Sequence, residues 1–124
     1  MNFAVIGLGS FGTKRAQSIK NSKLATLVAV HDINQENAQK ASKLLSVPIF
    51  TYDQILKDKN IDVVCICAPN KFHMSIILDS LKAEKHVFCE KPISRNLEEA
   101  KEIYEATKKS KKILQVGSNH RFFE

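Results

Sequence analysis

Hydrophobic and polar positions alternate along the chain between two kinds of pattern. Phe3-Ala4-Val5-Ile6 is a short apolar run ended by Gly7, and residues 10 to about 22 follow with a thin apolar side that includes Ala16 and Ile19. The first pattern predicts a strand and the second a helix. Leu24 to Val30 predicts a second strand, closed by His31 and Asp32. Asn34 then stands as an N-cap ahead of Ala38, Ala41 and Leu45 at helical spacing. Pro48-Ile49-Phe50 predicts a brief third strand, and Thr51 and Gln54 have capping-box spacing for a short helix carrying Ile55 and Leu56. Ile61 to Cys67, apolar throughout after Asp62, predicts a fourth strand covered on both faces, as in parallel sheets. Met74, Ile77, Leu78 and Leu81 form the stripe of the next helix. Val87 to Cys89 predicts the fifth strand. Asn96 and Glu99 open a helix with Leu97, Ala100, Ile103, Tyr104 and Thr107 along one side, and Ile113 to Val116 predicts the sixth strand.

Six strands alternating with helices predict an α/β fold of Rossmann type, because parallel neighbours need crossover connections. The expected sheet is doubly wound and parallel, with strand order 3-2-1-4-5-6 in three layers. An α/β layer with another strand order is the alternative. The 124 residues, 44% hydrophobic and 26% charged, make one ordinary globular domain. No apolar run approaches the roughly 18 residues that span a bilayer. No membrane association is therefore expected, and a cytoplasmic location is. Cys65, Cys67 and Cys89 all fall in predicted strands, which suits reduced, buried thiols. A metal site built from them with His86 is the weaker reading, and no metal is expected. The net charge of +6 does not change the picture. The lysines scatter over helix surfaces, and the cluster Lys108-Lys109-Ser110-Lys111-Lys112 sits at a helix end with no interleaved aromatic residue, so nucleic acid is not an expected partner.

The turn "VIGLGSFG" places Gly7, Leu8, Gly9, Ser10, Phe11 and Gly12 in a GxGxxG pattern between a strand and a helix. In that context Gly7 permits the tight turn, Gly9 lets the backbone approach a pyrophosphate, and Gly12 lets the helix pack closely on the sheet. The helix N-terminus offers amide donors to phosphate. Asp32 lies twenty residues after Gly12, at the end of the second strand. There a carboxylate accepts from ribose hydroxyls and repels a 2′-phosphate, and Ile33 and Asn34 supply no arginine to hold one. NAD is therefore expected over NADP. A helix-capping role for Asp32 is the structural alternative.

In that strand order the nicotinamide end of a dinucleotide runs over the fourth and fifth strands. There "CAPNKFH", residues 67 to 73, walls the crevice, and Glu90-Lys91-Pro92 follows the fifth strand. The Gly7-Gly9-Gly12 turn, Asp32, "APNKFH", "HVFCEKPIS" and "VGSNHRFF" together resemble the N-terminal half of the Gfo/Idh/MocA oxidoreductases, over essentially the whole chain. The resemblance implies that Lys91 contacts substrate and nicotinamide, that Pro92 follows a cis peptide bond, and that Glu90 steadies this loop. It also implies that Cys67, Ala68, Pro69, Asn70 and His73 line the cofactor cleft. For His73, capping or packing at the start of a helix is the alternative. His31 and His120 are expected at the surface. Arg121 is a candidate for contact with cofactor or substrate, or for an interdomain contact. An ammonium beside a bound alcohol also makes chemical sense of Lys91, since it favours negative charge developing on oxygen as hydride leaves carbon.

Family members carry a second domain that supplies most of the substrate pocket. Residues 1–118 are therefore expected to be the dinucleotide-binding domain and 119–124 the start of a connection to a C-terminal domain outside this sequence. The implied activity is hydride transfer between NAD and the CH–OH group of a sugar, nucleotide sugar or cyclitol, with a homo-oligomer as a candidate assembly. The 124 residues alone are expected to bind cofactor without full activity. A non-catalytic NAD(H)-binding or sensing module is the second reading.

Overall fold

A computed structural model describes residues 1–118. Five strands, β1 (Asn2–Ile6), β2 (Thr26–His31), β3 (Val63–Ile66), β4 (His86–Glu90) and β5 (Leu114–Gly117), form one sheet in the order β2-β1-β3-β4-β5. Every neighbouring pair is parallel. Helices α1 (Ser10–Asn21), α2 (Gln35–Leu45), α3 (Tyr52–Lys57), α4 (His73–Lys82) and α5 (Leu97–Lys109) make the crossovers, and a single 3-10 turn, Asn70–Phe72, leads into α4.

The expected topology is present with one correction. Pro48-Ile49-Phe50 is not a strand: it lies beside β2, where the third strand was expected, and contributes one parallel bridge, Ile49 to Val30. Pro48 has no N–H for a ladder. One residue after the segment, the Thr51 amide is taken by the Gln54 side chain, 2.8 Å away, as the capping box of α3 forms. Two backbone bonds to Val30 are all that fit between.

The strand residues explain the layers. Ala4, Ile6, Val64, Ile66, Val87 and Cys89 join Ile55, Ile77 and Ile103 in a core beneath α3, α4 and α5. Their neighbours Val5, Val30 and Cys65 join Ala16, Ile19, Ala38, Ala41 and Leu45 in a second core beneath α1 and α2. Alternation along each strand thus feeds both faces, and all four residues of β3 are buried. On α4 the buried set is His73, Ile76, Ile77, Ser80 and Leu81, so the face is turned from the expected stripe, and Met74 and Leu78 are only half-buried. Leu97 and Tyr104 of α5 are exposed. No helix among the described residues is long and apolar enough to cross a membrane.

α4 ends in a pair of bonds, Glu84 N–H to Leu81 O at 3.0 Å and Lys85 N–H to Ser80 O at 2.9 Å. This closure puts its penultimate residue in the left-handed region, where glycine is preferred. Here that residue is Glu84, at φ +59°. Lys85 turns inward from it, its ammonium donating to Asp58 O at 2.7 Å and Ile61 O at 2.8 Å. Glu84→Gly removes the Cβ penalty of the left-handed conformation and restores some unfolded-state entropy, for an expected net gain of about 0.5–1 kcal/mol. Urea unfolding checks this, and a lower midpoint would contradict it.

Candidate functional site

The glycine turn is built by two steric necessities. Gly7 has φ +94°, and a Cβ there would lie 2.5 Å from the Ala68 amide nitrogen. A Cβ on Gly12 would fall far inside contact distance of the Gly7 carbonyl oxygen and 3.1 Å from Cys67 Cβ. Gly9 differs: it is the N-cap of α1 at φ −65°, ψ −172°, a conformation open to any residue, and a Cβ on it would meet nothing within 4 Å. No side chain caps α1, and its first turn carries no acid. The amides that begin a helix lack intrahelical partners, so this end presents donors and partial positive charge.

A cleft of about 780 Å³ opens at the carboxyl ends of β1, β2 and β3. Of the sequence-predicted residues, Gly7, Leu8, Gly9, Asp32, Ile33, Cys67, Ala68 and Pro69 line it together. Asp32 is the hub of its rim. One carboxylate oxygen accepts from the Leu8 amide at 2.7 Å and the other from the Asn34 amide at 2.9 Å, with the Asn37 side-chain amide 3.5 Å from the first. The carboxylate therefore fixes the glycine turn and the entry to α2, and with three acceptor sites used it keeps capacity for about one further donor. Asn34 itself caps α2 through the Asn37 amide.

Ser10, Phe11, Gly12, Asn70, His73, Glu90, Lys91 and Pro92 do not line this cleft. Gly12 is buried beneath the turn, and Ser10 and Phe11 are exposed on the first turn of α1. His73 is 1% exposed, with each ring nitrogen 2.7 Å from a carbonyl oxygen, Ala68 on one side and Pro92 on the other. Its imidazole is spent tying the loop after β3 to the loop after β4, which makes it a positioning residue rather than a cleft-wall contact. The Lys91–Pro92 bond is cis. Lys91 is exposed and makes no ion pair among the described residues. Arg121 lies outside the described residues, as do Asn119 and His120.

Glu90 and Lys91 are not a mutual charge pair. The Glu90 side chain turns inward to the Arg15 guanidinium on α1, which also lies 5.5 Å over the Phe11 ring and 5.1 Å over the Phe88 ring. Gly117 makes room for it: a Cβ there would sit 2.8 Å from Glu90 Oε2. This pair joins α1 to the Glu-Lys-Pro segment across 75 residues of sequence. Arg15 was invisible to sequence reasoning for that reason. Of the other cleft residues, Phe72 falls in the 67–73 segment expected to wall the crevice, whereas Asn37, Tyr52, Ser75, Ile76 and Asp79 escaped sequence reasoning.

The thiols behave as packing groups. Cys65 and Cys67 sulfurs are 4.0 Å apart, and that contact together with burial pushes the Cys65 thiol well up. Burial pushes Cys89 up to about 12. Neither Cys65 nor Cys89 is a thiolate at neutral pH.

The Arg15–Glu90 pair generates a stability prediction. Arg15→Ala leaves a buried carboxylate without its cation and is expected to cost roughly 2–4 kcal/mol in chemical denaturation. The double variant Arg15→Met with Glu90→Met is expected to regain most of that loss. A double variant as unstable as Arg15→Ala would contradict the account.

Comparison with known proteins agrees with this architecture. The model of the Gfo/Idh/MocA oxidoreductase family, NAD-binding Rossmann fold, matches residues 1–118. A myo-inositol 2-dehydrogenase of Thermotoga maritima is 37% identical over 124 residues, covering 98% of this chain and 37% of the relative. A 2,7-anhydro-N-acetylneuraminate hydratase of Escherichia coli is 31% identical, covering 99% of this chain and 33% of the relative. Among solved structures, scyllo-inositol dehydrogenase from Lactobacillus casei, with bound NAD(H) and scyllo-inositol, superposes with TM-score 0.91 at 29% identity, covering 100% of this chain and 38% of that one. The chain thus spans little more than a third of the length of these relatives. It belongs to the Gfo/Idh/MocA family of oxidoreductases and corresponds to that family's NAD-binding Rossmann domain.

Proposed function

We propose that the cleft holds the adenosine and pyrophosphate of NAD(H), with residues 1–118 as the binding domain and 119–124 leading toward a substrate domain. The observation that carries this reading is Gly9. The fold makes no steric or dihedral demand for glycine there. A glycine that the protein does not need for itself, at the uncapped N-terminus of α1, leaves open the space that a pyrophosphate requires. Asp32 borders the same cleft, already oriented by the Leu8 and Asn34 amides, with acceptor capacity left for a ribose hydroxyl. Its negative charge, with no lysine or arginine among the cleft-lining residues, favours NAD(H) over NADP(H).

The nicotinamide half then runs past the end of β3 toward Glu90-Lys91-Pro92. When bound, the cofactor supplies the hydride acceptor or donor. This chain's contribution is to position and to stabilise charge. Arg15 and Gly117 hold Glu90 inward, and His73 holds the Pro92 carbonyl. Lys91 is thereby left on a fixed turn with its ammonium toward solvent. Beside a bound alcohol that ammonium favours the alkoxide-like oxygen that develops as hydride leaves carbon, and it returns the interaction when a ketone is reduced. Lys91 is the catalytic residue of this reading. The substrate class it fits is a CH–OH compound such as a sugar, nucleotide sugar or cyclitol. The names of the relatives support both that class and the NAD(H) assignment.

Fluorescence titration of the folded chain with NADH and NADPH tests the reading. Saturable binding of NADH is expected, with NADPH weaker by about tenfold or more, since an unscreened 2′-phosphate near a carboxylate costs on the order of 1–2 kcal/mol. Equal affinities would contradict the role of Asp32, and no binding by the folded chain would contradict the assignment of the cleft.

A further inference from the structure

The cleft is not confined to the glycine turn and Asp32. Ile33 lines it as well, and so do Phe72, Ser75, Ile76 and Asp79, which follow one another at helical spacing into and along α4, the last of them bonded to Tyr52 of α3. The apolar side chains of Ile33, Phe72 and Ile76 offer surface that suits a planar ring. With the phosphates at the glycine turn and the ribose at Asp32, the purine is the part of the dinucleotide that falls in this part of the cleft. The polar groups there then face the edge of the base.

Those groups have a defined polarity. The Tyr52 hydroxyl donates to Asp79 Oδ2 at 2.7 Å. Burial, followed by the Asp79 bond, holds the Tyr52 phenol above its ordinary range, so the hydroxyl stays a donor committed to Asp79. The His31 ring packs 6.2 Å from that of Tyr52 and is itself anchored, its Nδ1 2.9 Å from the Phe50 carbonyl oxygen. Asp79 is thus steadied through one oxygen, while its second oxygen has no hydrogen-bond partner among the described residues. A carboxylate oxygen accepts, so this part of the cleft presents an acceptor and matches a donor on the ligand.

We propose that Asp79, oriented by Tyr52, reads the 6-amino group of the adenine ring and sets the base specificity of this cleft. The assignment rests on the NAD(H) reading above and adds the residue that selects the base. An amino group at the purine 6-position donates to the free Asp79 oxygen. A carbonyl at that position places two acceptors face to face, an unfavourable contact that water at the exposed Asp79 side chain relieves only in part. The pair acts on the base alone and leaves the reacting end of the cofactor untouched.

The test compares NADH with its reduced hypoxanthine analogue, in which a carbonyl oxygen replaces the 6-amino group. Wild-type protein is expected to bind NADH about three- to tenfold more tightly, the scale of a hydrogen bond at a solvent-exposed group. Asp79→Asn keeps the shape and offers an amide donor, and is expected to bring the two affinities within about twofold or to invert them. Tyr52→Phe leaves the acceptor in place and is expected to retain a preference for NADH. Equal binding of the two dinucleotides by wild type, or an unchanged preference in Asp79→Asn, overturns the proposal while leaving NAD(H) binding intact. Failure of the folded wild-type chain to bind either one overturns both readings together.

Discussion

The site depends on the closeness of α1 to the end of β1. Gly12 lies against the Gly7 carbonyl so tightly that a single added carbon cannot be placed between them. That contact brings the helix N-terminus down onto the sheet's carboxyl edge. The Asp32 carboxylate then fastens the turn to β2 through the Leu8 amide. Gly7, pressed against the backbone of Cys67 and Ala68, fastens it to the strand on its other side. The cleft, the open flank of Gly9 and the uncapped amides of α1 all follow from that one steric arrangement.

A second set of contacts links the two ends of the site. Arg15 on α1 and His73 on α4 each reach the segment after β4, one through Glu90 and the other through the Pro92 carbonyl. The loop that carries Lys91 is therefore held from below by the helix whose N-terminus faces the cleft, and from the side by the helix that follows the loop after β3. This is how a sheet with few long loops presents a lysine at a fixed place. The charge of Glu90 is spent in the structure, and the charge of Lys91 is kept for the surface.

Much of this was legible in the sequence because it was local. Gly7, Gly9 and Gly12 announce a turn within six residues, and Thr51 with Gln54, or Asn96 with Glu99, announce a helix start within four. The continuous apolar run of β3 announced burial on both faces. What escaped was decided between distant residues or by competition for one backbone group. Pro48-Ile49-Phe50 reads as a strand in composition, but the amides needed for a ladder are missing at Pro48 and diverted at Thr51. For His73 the sequence left both cofactor contact and packing at a helix start open, and only its two carbonyl partners show the packing role. The partners of Arg15 and Tyr52 lie 75 and 27 residues away, beyond the reach of periodicity or spacing.

The central claim is that the cleft is shaped for a dinucleotide phosphate, and that Gly9 is glycine for the ligand and not for the fold. Gly9→Ala separates the two in one protein. The conformation at this position accommodates alanine and its Cβ meets no protein atom within 4 Å, so the unfolding free energy is expected to hold or rise slightly, by up to about 1 kcal/mol. Affinity for NADH, measured on the same sample, is expected to fall by at least about tenfold as the methyl group enters the space of the pyrophosphate. A variant that is equally stable and binds NADH as tightly as wild type would contradict the account.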